Sequence, residues 1–312
     1  MQAIKRGDKM KKITVEQLVK RFSLEVLGGE SALVNEIESE DLHRPGLELT
    51  GFFDFFPFER IHLLGKQEFS YIFSLCEEER RMRMREYIEQ KPPCVIITRG
   101  QEGLENLALV CESEGVPLLR TTEKTTEFMG KLHTHLRKEL AREMGVHGVC
   151  VNVFGVGILI RGTSGIGKSE VALELIKKGH RLISDDLVIL KQIGPEALIA
   201  THNGNNRDFL ALRGVGLVDI TRLYGSGACQ DETKVNMDLL LSPWDPDRYY
   251  DAMGVEKKTV QYIDTKVEHI EIPIRPGRDI STLIEVAAKN WRLEQNGYDA
   301  LVEFNERLKD QW

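Results

Sequence analysis

Long apolar runs, paired cysteines and an excess of positive charge are all missing from this 312-residue sequence. Its five cysteines are scattered and none lies in a C-x-x-C pair, which predicts free thiols in a reducing compartment rather than a disulfide framework. No apolar run approaches the length of a membrane span, and the N-terminal residues contain no apolar signal segment. The net charge of −7 argues against nucleic acid or an anionic membrane surface as a partner. We therefore expect a cytoplasmic protein with no nucleic-acid or membrane partner.

A glycine-rich loop between a predicted strand and a predicted helix is the most informative feature. The apolar run that starts at Val149 ends in Gly162-Thr163-Ser164-Gly165-Ile166-Gly167-Lys168-Ser169, which matches G-x-x-x-x-G-K-[ST]. Glycines let several backbone N–H groups face one anion, and the positive end of the following helix adds to that field. Lys168 would reach the outer phosphates, and the Ser169 hydroxyl would bind Mg²⁺. A glycine-rich turn that binds nothing is the alternative, which the flanking strand and helix disfavour.

Two adjacent acids, Asp185 and Asp186, interrupt the next predicted strand. If that strand runs parallel to the one before the glycine loop, its end returns to the phosphate side of the sheet. One acid would then face the metal of the nucleotide or the incoming hydroxyl, because neighbouring strand side chains point to opposite faces. A turn with solvated acids is the competing interpretation. Acids inside an apolar run favour the functional one, because burying them without a partner is costly.

Arginines occur in two later loops. In the segment Pro273–Arg278, two prolines and a glycine stiffen a loop that carries Arg275 and Arg278, and guanidinium pairs suit phosphate oxygens. Taken alone, a turn with solvated arginines explains this segment equally well. The second loop follows Arg213 and contains two glycines, which by itself is a weak signal.

The length is typical of about two domains. Residues 92–119 predict a strand, a helix and a strand, which indicates a βαβ unit. Leucines at intervals of four predict a long connecting helix over residues 126–144 that Gly145 ends. We place the boundary near residue 130, which gives an N-terminal α/β domain over 1–130 and a catalytic domain over 131–312. Residues 1–9 are a candidate extension, because Met10 could serve as an alternative start.

Taken in order, these motifs resemble the bifunctional HPr kinase/phosphorylase family of bacteria. The resemblance rests on GTSGIGKSEVALELI, GHRLISDD, RGVGLVDI and IPIRPGRD running into IEVAAKNWRL, and it covers the whole second half. It implies a protein-serine kinase that phosphorylates the carrier protein HPr, using ATP or pyrophosphate with Mg²⁺, and that reverses the reaction by phosphorolysis to give pyrophosphate. It further implies a P-loop domain similar to that of phosphoenolpyruvate carboxykinase, a homohexamer, and a role in carbon catabolite repression.

The resemblance also assigns roles to residues. It places nucleotide contacts on Gly162–Ser169, with Lys168 catalytic and Ser169 a magnesium ligand. Asp186 falls on the acid–base position, with Asp185 beside it, and His147 matches a further active-site position. Arg213 lies in a signature shared by both activities. Arg275 and Arg278 lie in the stretch associated with phosphate removal.

Two positions depart from the family pattern. Ala211 replaces a glutamate that usually acts as a second magnesium ligand, and Ala252 replaces a catalytic arginine. An arginine directed at a transferring phosphoryl group can contribute roughly 10³–10⁵ in rate, so the second change is the more serious. Arg248 and Arg222 are the nearby candidates to substitute for it.

Three functions remain open at this point. The first is the bifunctional kinase/phosphorylase itself. The second is a nucleotide-binding paralogue that docks HPr as a regulator and transfers phosphate poorly, which the two alanines favour. The third is a P-loop kinase of a small metabolite.

Overall fold

Short aliphatic strands form the sheet of the N-terminal unit, which ends at Ala141. The computed structural model describes residues 11–104, 107–194, 196–250, 256–275 and 277–309. The strands of this unit are β1 (Ile13–Thr14), β2 (Glu25–Gly28), β3 (Glu36–Ile37), β4 (Leu42–His43), β5 (Ile61–Leu64), β6 (Val95–Ile97) and β7 (Leu118–Arg120). Its helices are α1 (Val15–Phe22), α2 (Lys66–Ile72), α3 (Glu77–Ile88), α4 (Ala108–Glu114) and α5 (Thr125–Glu139).

The N-terminal sheet has the order β2-β7-β6-β5-β4 and is covered on both faces. Strands β4 to β7 are parallel, and β6, α4 and β7 form the predicted βαβ unit. Successive side chains alternate between the faces. Val95 and Ile97 therefore pack with α2, α3 and α4, whereas Ile96 packs with α1 and α5. This layering is typical of a mostly parallel sheet.

The long helix predicted over residues 126–144 is wrong at its C-terminal end. Helix α5 ends at Glu139, and residues Arg142–His147 form a strand instead. Within that strand Met144 lies opposite Leu190 of a neighbouring strand, so sheet pairing overrides the helical spacing. Leu132 and Leu136 are buried in the N-terminal core. The two compact units consequently divide between Ala141 and Arg142, C-terminal to the boundary placed near residue 130.

The C-terminal unit contains the glycine-rich loop. Its strands are β8 (Arg142–His147), β9 (Val149–Val153), β10 (Val156–Gly162), β11 (Arg181–Ser184), β12 (Leu187–Ile193), β13 (Ala197–Thr201), β14 (Phe209–Leu212), β15 (Gly216–Asp219), β16 (Glu232–Pro243), β17 (Lys258–Tyr262) and β18 (Thr265–Ile274). Its helices are α6 (Lys168–Lys177), α7 (Ile220–Tyr224), α8 (Ile280–Gln295) and α9 (Ala300–Lys309).

The main sheet of the C-terminal unit has the order β11-β9-β10-β16-β13-β12-β8, and β18 also pairs with β16. Strands β10, β16 and β18 are parallel, so Gly162, Pro243 and Ile274 all lie at one edge of the sheet. Strand β9 is antiparallel to both β10 and β11. Strand β11 therefore runs in the same direction as β10, and its C-terminal end reaches that edge as well. In open α/β sheets, ligands bind at the carboxyl ends of the strands.

Helices α6 and α8 cover one face of this sheet. The helical face predicted after the glycine loop is buried, and Gly179 follows the C-cap with φ +93°. The apolar run before the loop, taken as one strand from the sequence, is a hairpin. Phe154 and Gly155 both have positive φ and form its turn. This hairpin lets β9 lie between β10 and β11.

Candidate active site

The glycine-rich loop joins β10 to α6 at the shared sheet edge. Gly162, Gly165 and Gly167 have φ values of +155°, +81° and +104°, which L-residues with side chains rarely adopt. A Cβ on Gly162 would lie 2.7 Å from the main-chain oxygen of Leu241. The loop thus brings its backbone around the start of α6, whose first N–H groups have no partner within the helix. Such an arrangement attracts anions.

Lys168 is buried beside this loop. Its Nζ donates to the main-chain oxygens of Gly162 and Thr163, at 3.1 and 3.2 Å. Burial lowers the pKa of Lys168, and the negative charges of Asp185 and Asp186 oppose this shift. The ammonium group is therefore held at the inner side of the loop, in contact only with groups that a phosphate oxygen could replace.

Ser169 and Asp185 face each other at the start of α6. Ser169 Oγ donates to Asp185 Oδ1 and Oδ2, at 3.0 and 3.2 Å. The main-chain N–H of Ala211 donates to Asp185 Oδ2 at 3.0 Å. Burial raises the pKa of Asp185, and these hydrogen bonds oppose the shift.

This hydroxyl and carboxylate are oxygen ligands of the kind that Mg²⁺ prefers. Mg²⁺ often takes only one or two protein carboxylates and completes its shell with phosphate and water. Over the described residues, no three His, Cys, Asp or Glu side chains form a group that could hold a metal ion. The Ser169 hydroxyl and the Asp185 carboxylate fit a magnesium ion that also binds phosphate oxygens and water.

Asp186 points away from Asp185. It has φ +66°, and the Leu187 N–H donates to the Asp185 main-chain oxygen at 2.8 Å, which closes a γ-turn. The Asp186 side chain is 79% exposed, and its Oδ1 lies 3.0 Å from His147 Nδ1. The same Nδ1 lies 2.9 Å from the Asp186 main-chain oxygen. Because both oxygens are acceptors, His147 carries its proton on Nδ1.

Two family models match the chain. The model described as HPr Serine kinase C-terminal domain matches residues 138–308, and the model described as HPr Serine kinase N terminus matches residues 13–136. The chain belongs to the HPr serine kinase family.

Similar proteins span nearly the whole chain. A relative from Oceanobacillus iheyensis, named provisionally as HPr kinase/phosphorylase 2, is 48% identical over 96% of this chain and 98% of its own length. An HPr kinase/phosphorylase of Bacillus mycoides is 39% identical over 96% and 97% of the two chains. A solved structure titled as the Hpr(Ser) kinase/phosphatase from Coxiella burnetii is 31% identical, with a TM-score of 0.46, and covers 52% of this chain and 98% of its own. Across the described residues, no helix is long and apolar enough to cross a membrane.

The hairpin β14–β15 brings Ala211 and Arg213 close to the glycine loop and Asp185. The guanidinium of Arg213 lies directly against Gly165, since a Cβ there would be 2.3 Å from Arg213 Nη2. Ala211 is exposed and contacts Asp185 only through its main-chain N–H. The structure therefore brings together the glycine loop, both acids, His147 and Arg213, and it leaves a methyl group where the family usually has a carboxylate.

The two arginines of the later loop share one turn, in which the Arg278 N–H donates to the Arg275 main-chain oxygen at 3.2 Å, and their side chains have different neighbours. Arg275 follows β18 at the sheet edge that carries the glycine loop, and its guanidinium stacks on Trp244. Arg278, with Lys177 and Lys178, lines a cavity of about 470 Å³. These lysines are at the C-terminal end of α6, and its 10 residues span roughly 15 Å from the glycine loop. Within this chain, Arg278 is not brought to the glycine loop.

The candidates to replace the arginine missing at position 252 are paired elsewhere. Arg248 makes a bidentate ion pair with Glu271, at 2.7 and 2.8 Å. Arg222 pairs with Asp219 at 3.2 Å. Ala252 itself lies outside the described residues.

No sequence pattern singled out Asn206, whose side-chain amide contacts the turn that carries Asp185 and Asp186. The stretch His202-Asn203-Gly204-Asn205-Asn206 indicates a loop by composition. Composition does not reveal which distant segment a loop side chain touches. This contact is visible only in the folded chain.

Proposed function

We propose that this chain is a bifunctional HPr kinase/phosphorylase. It transfers a phosphoryl group from ATP or pyrophosphate to a serine of HPr, and it removes that group by phosphorolysis. The observation that carries the proposal is the glycine loop with Lys168, Ser169 and two diverging carboxylates at one sheet edge. Full-length similarity to proteins named HPr kinase/phosphorylase supports HPr as the substrate.

The backbone N–H groups of the loop and Lys168 hold the phosphate chain, and Lys168 exchanges its bonds to Gly162 and Thr163 for phosphate oxygens. Ser169 and Asp185 would hold Mg²⁺, which would neutralise charge on the phosphates. Arg213, beside Gly165, adds positive charge where negative charge grows in the transition state.

Asp186 is the acid–base group. Its exposed carboxylate takes the proton of the HPr serine as the serine oxygen attacks the outer phosphorus, and the bond to the leaving phosphate breaks. His147 donates from Nδ1 to Asp186 and orients it. In reverse, inorganic phosphate attacks the phosphoserine phosphorus and the bond from that phosphorus to the serine oxygen breaks, which gives pyrophosphate. Asp186 takes the proton of the attacking phosphate and passes it to the serine oxygen. Arg275, at the same edge, is suited to hold phosphate in this direction.

The test is a reconstituted reaction in both directions. Folded protein is incubated with HPr, Mg²⁺ and either ATP or pyrophosphate, and phosphoserine is measured by mass spectrometry. Phosphoserine-HPr is then incubated with inorganic phosphate, and pyrophosphate release is measured. We expect both products, and a loss of roughly 10²-fold or more in Asp186→Asn. Absence of phosphoserine from a folded chain that binds nucleotide would contradict the proposal.

A second candidate function is a regulator that binds nucleotide and docks HPr but transfers phosphate poorly. The methyl group of Ala211 beside Asp185 favours it, because one oxygen ligand near the magnesium position is missing. Restoring Ala211→Glu together with Ala252→Arg separates the candidates. A gain of about 10³-fold, within the range one arginine can supply, supports the regulator, and an unchanged rate supports the enzyme.

Four finer expectations belong to the same proposal. The Mg²⁺ requirement is tested by titrating the metal against the transfer rate. The homohexamer is tested by sedimentation of the purified chain. Cytoplasmic residence and a role in carbon catabolite repression are tested by fractionation and by deletion in the host.

A further inference from the structure

Both active-site carboxylates lie on a single three-residue turn, Asp185–Leu187. The turn is closed by the 2.8 Å bond from the Leu187 N–H to the Asp185 main-chain oxygen. Asp186 at its centre has φ +66°, a conformation that is unfavourable for a residue other than glycine. Backbone of this kind persists only where the surroundings hold it. Some neighbouring group must therefore stabilise the turn.

The Gly148 N–H donates to the Asp186 main-chain oxygen at 3.1 Å, and a second stabilising group is the side-chain amide of Asn206. Its Nδ2 lies 2.6 Å from the Asp185 main-chain oxygen, 3.1 Å from the Leu187 main-chain oxygen and 3.0 Å from Ser184 Oγ. Carbonyl oxygens only accept, so the nitrogen and not the oxygen of the amide faces the turn. Asn206 Oδ1 points the other way and accepts the Asn203 N–H at 3.2 Å. The amide thus bridges its own loop to both ends of the turn.

Other contacts hold the two carboxylates from different elements. The Ala211 N–H binds Asp185 Oδ2, and His147 binds Asp186 Oδ1. The Ala211 N–H contacts a side chain alone, whereas His147 Nδ1 also contacts the Asp186 main-chain oxygen at 2.9 Å. Asn206 binds main-chain oxygens on both sides of Asp186.

We propose that Asn206 is a positioning residue for the proposed phosphotransfer. It holds the Asp185–Leu187 turn so that Asp185 faces Ser169 while Asp186 faces the incoming serine. Without its amide, two main-chain oxygens lose a donor and the turn relaxes toward extended backbone. Asp186 then moves relative to the glycine loop, whereas Lys168 and the loop N–H groups stay on β10 and α6.

The test compares Asn206→Ala and Asn206→Asp with Asn205→Ala as the matched control. Asn205 is exposed in the same loop, and only its main-chain N–H takes part in the hydrogen bonds described there. We expect kcat to fall about 10–100-fold in both Asn206 variants, as for a misplaced catalytic group. The KM and the Kd for ATP should stay within about twofold, because the phosphate contacts are elsewhere. Aspartate fills the same space but cannot donate, so a role in packing alone predicts normal activity for Asn206→Asp.

Two further readouts separate positioning from general destabilisation. In an Asp186→Asn background, adding Asn206→Ala should cause little further loss, because Asn206 acts through Asp186. In the ligand-free chain, the amide of Leu187 should exchange hydrogen at least about tenfold faster in Asn206→Ala than in Asn205→Ala.

The outcomes distinguish this inference from the proposed function. If the unaltered chain fails to phosphorylate HPr, the proposed function fails, and hydrogen exchange still tests the role of Asn206 in the turn. If the chain is active, the inference is overturned when Asn206→Ala matches Asn205→Ala in kcat and exchange. It is also overturned when nucleotide affinity falls in step with kcat, or when the loss is fully additive with Asp186→Asn.

Discussion

Lys168 illustrates how one residue can be held ready for a ligand by bonds that are easily exchanged. Its Nζ contacts two loop carbonyl oxygens, which are neutral acceptors. A phosphate oxygen makes a stronger, charge-assisted bond. The lysine can therefore change partners at small cost to the fold.

We accordingly expect Lys168→Met to lower the phosphotransfer rate by roughly 10²–10³-fold, as removal of one transition-state donor does elsewhere. The midpoint of thermal unfolding should change by only a few degrees. Lys177→Met, on the exposed last turn of the same helix, is the control and should keep its rate. A Lys168→Met variant that transfers phosphate as fast as this control would contradict the assigned role.

Asp238 is a second residue whose environment dictates its importance. It is fully buried and accepts from Arg161 Nε and Nη2 at 2.5 and 2.6 Å, from Tyr262 Oη at 2.6 Å and from His269 Nδ1 at 2.6 Å. A carboxylate with these donors is well compensated. Arg161 immediately precedes Gly162, so this network also anchors the strand that leads into the glycine loop.

Removing only the acid leaves the arginine without its partner. Asp238→Leu should lower the free energy of unfolding of the C-terminal unit by about 3–5 kcal/mol. Adding Arg161→Met should restore most of this loss, since the uncompensated charge is then gone. Urea unfolding followed by tryptophan fluorescence measures the effect, because Trp244 and Trp291 lie in this unit. Equal instability of the single and double variants would argue against a charge effect.

At the scale of elements, close approach of β10 and β16 depends on a missing side chain. A Cβ on Gly157 would lie 2.0 Å from the Lys234 main-chain oxygen. The pairing register also shifts between Gly157 and Ile158. The two strands would have to separate to accept even a methyl group.

Gly157→Ala should thus lower the free energy of unfolding of the C-terminal unit by about 2–3 kcal/mol. Gly130→Ala should instead raise the free energy of unfolding. Gly130 lies within α5 with open space around its Cβ position, and alanine should stabilise that helix by about 0.5–1 kcal/mol. Both are measured by urea unfolding of the full chain. A stabilising Gly157→Ala would show that β10 and β16 are less tightly fixed than their contact implies.

Elements with a cap and a regular apolar face were predictable from the sequence. Thr14 caps α1 with a complete capping box, and Asp279 caps α8 by accepting the Thr282 N–H. Elements determined by distant pairing were not. Met144 fits the predicted helical pattern and Gly145 was expected to end the helix, but both lie in β8, because the hydrogen bonds of β12 decide their conformation. The turn at Phe154 could not be predicted from the sequence, because the segments on both sides of it are equally apolar.

The candidate site divides in the same way. The glycine loop and the paired acids follow from local sequence, since their spacing is itself the geometry. The approach of Arg213 to Gly165, the stacking of Arg275 on Trp244 and the contact of Asn206 with the turn depend on how loops return to the sheet edge. Local sequence patterns carry no information on such tertiary contacts.

At the scale of the whole molecule, each unit has its own core, so the two should respond to conditions independently. His62 in the N-terminal unit is fully buried, and it contacts Tyr87 Oη and, at 3.0 Å, the Pro57 main-chain oxygen. Burial lowers the pKa of His62 to about 4. The ordinary value of about 6.5 applies to the unfolded chain, which therefore binds more protons than the folded chain between pH 6.5 and pH 4.

Stability of the N-terminal unit should then fall as the pH is lowered through that window, by about 2 kcal/mol between pH 7 and pH 5 from His62 alone. His62→Gln should remove this part of the pH dependence. Urea unfolding by circular dichroism at both pH values measures the total change. Tryptophan fluorescence reports the C-terminal unit alone and should show no contribution from His62. An identical pH slope in His62→Gln would contradict a buried neutral histidine.

The three-residue turn at Asp185–Leu187 also constrains how this active site can change over generations. Asp185 and Asp186, for which we propose the metal-binding and acid–base roles, are adjacent in the chain, so an insertion or deletion there displaces both at once. A mutation that moves this turn is therefore expected to affect the forward and the reverse reaction together. Changes that adjust one carboxylate alone must arise in His147, Asn206 or Ala211, which lie outside the turn and contact it separately. Among relatives, substitutions should consequently be more frequent at the residues that contact the turn than within the turn itself.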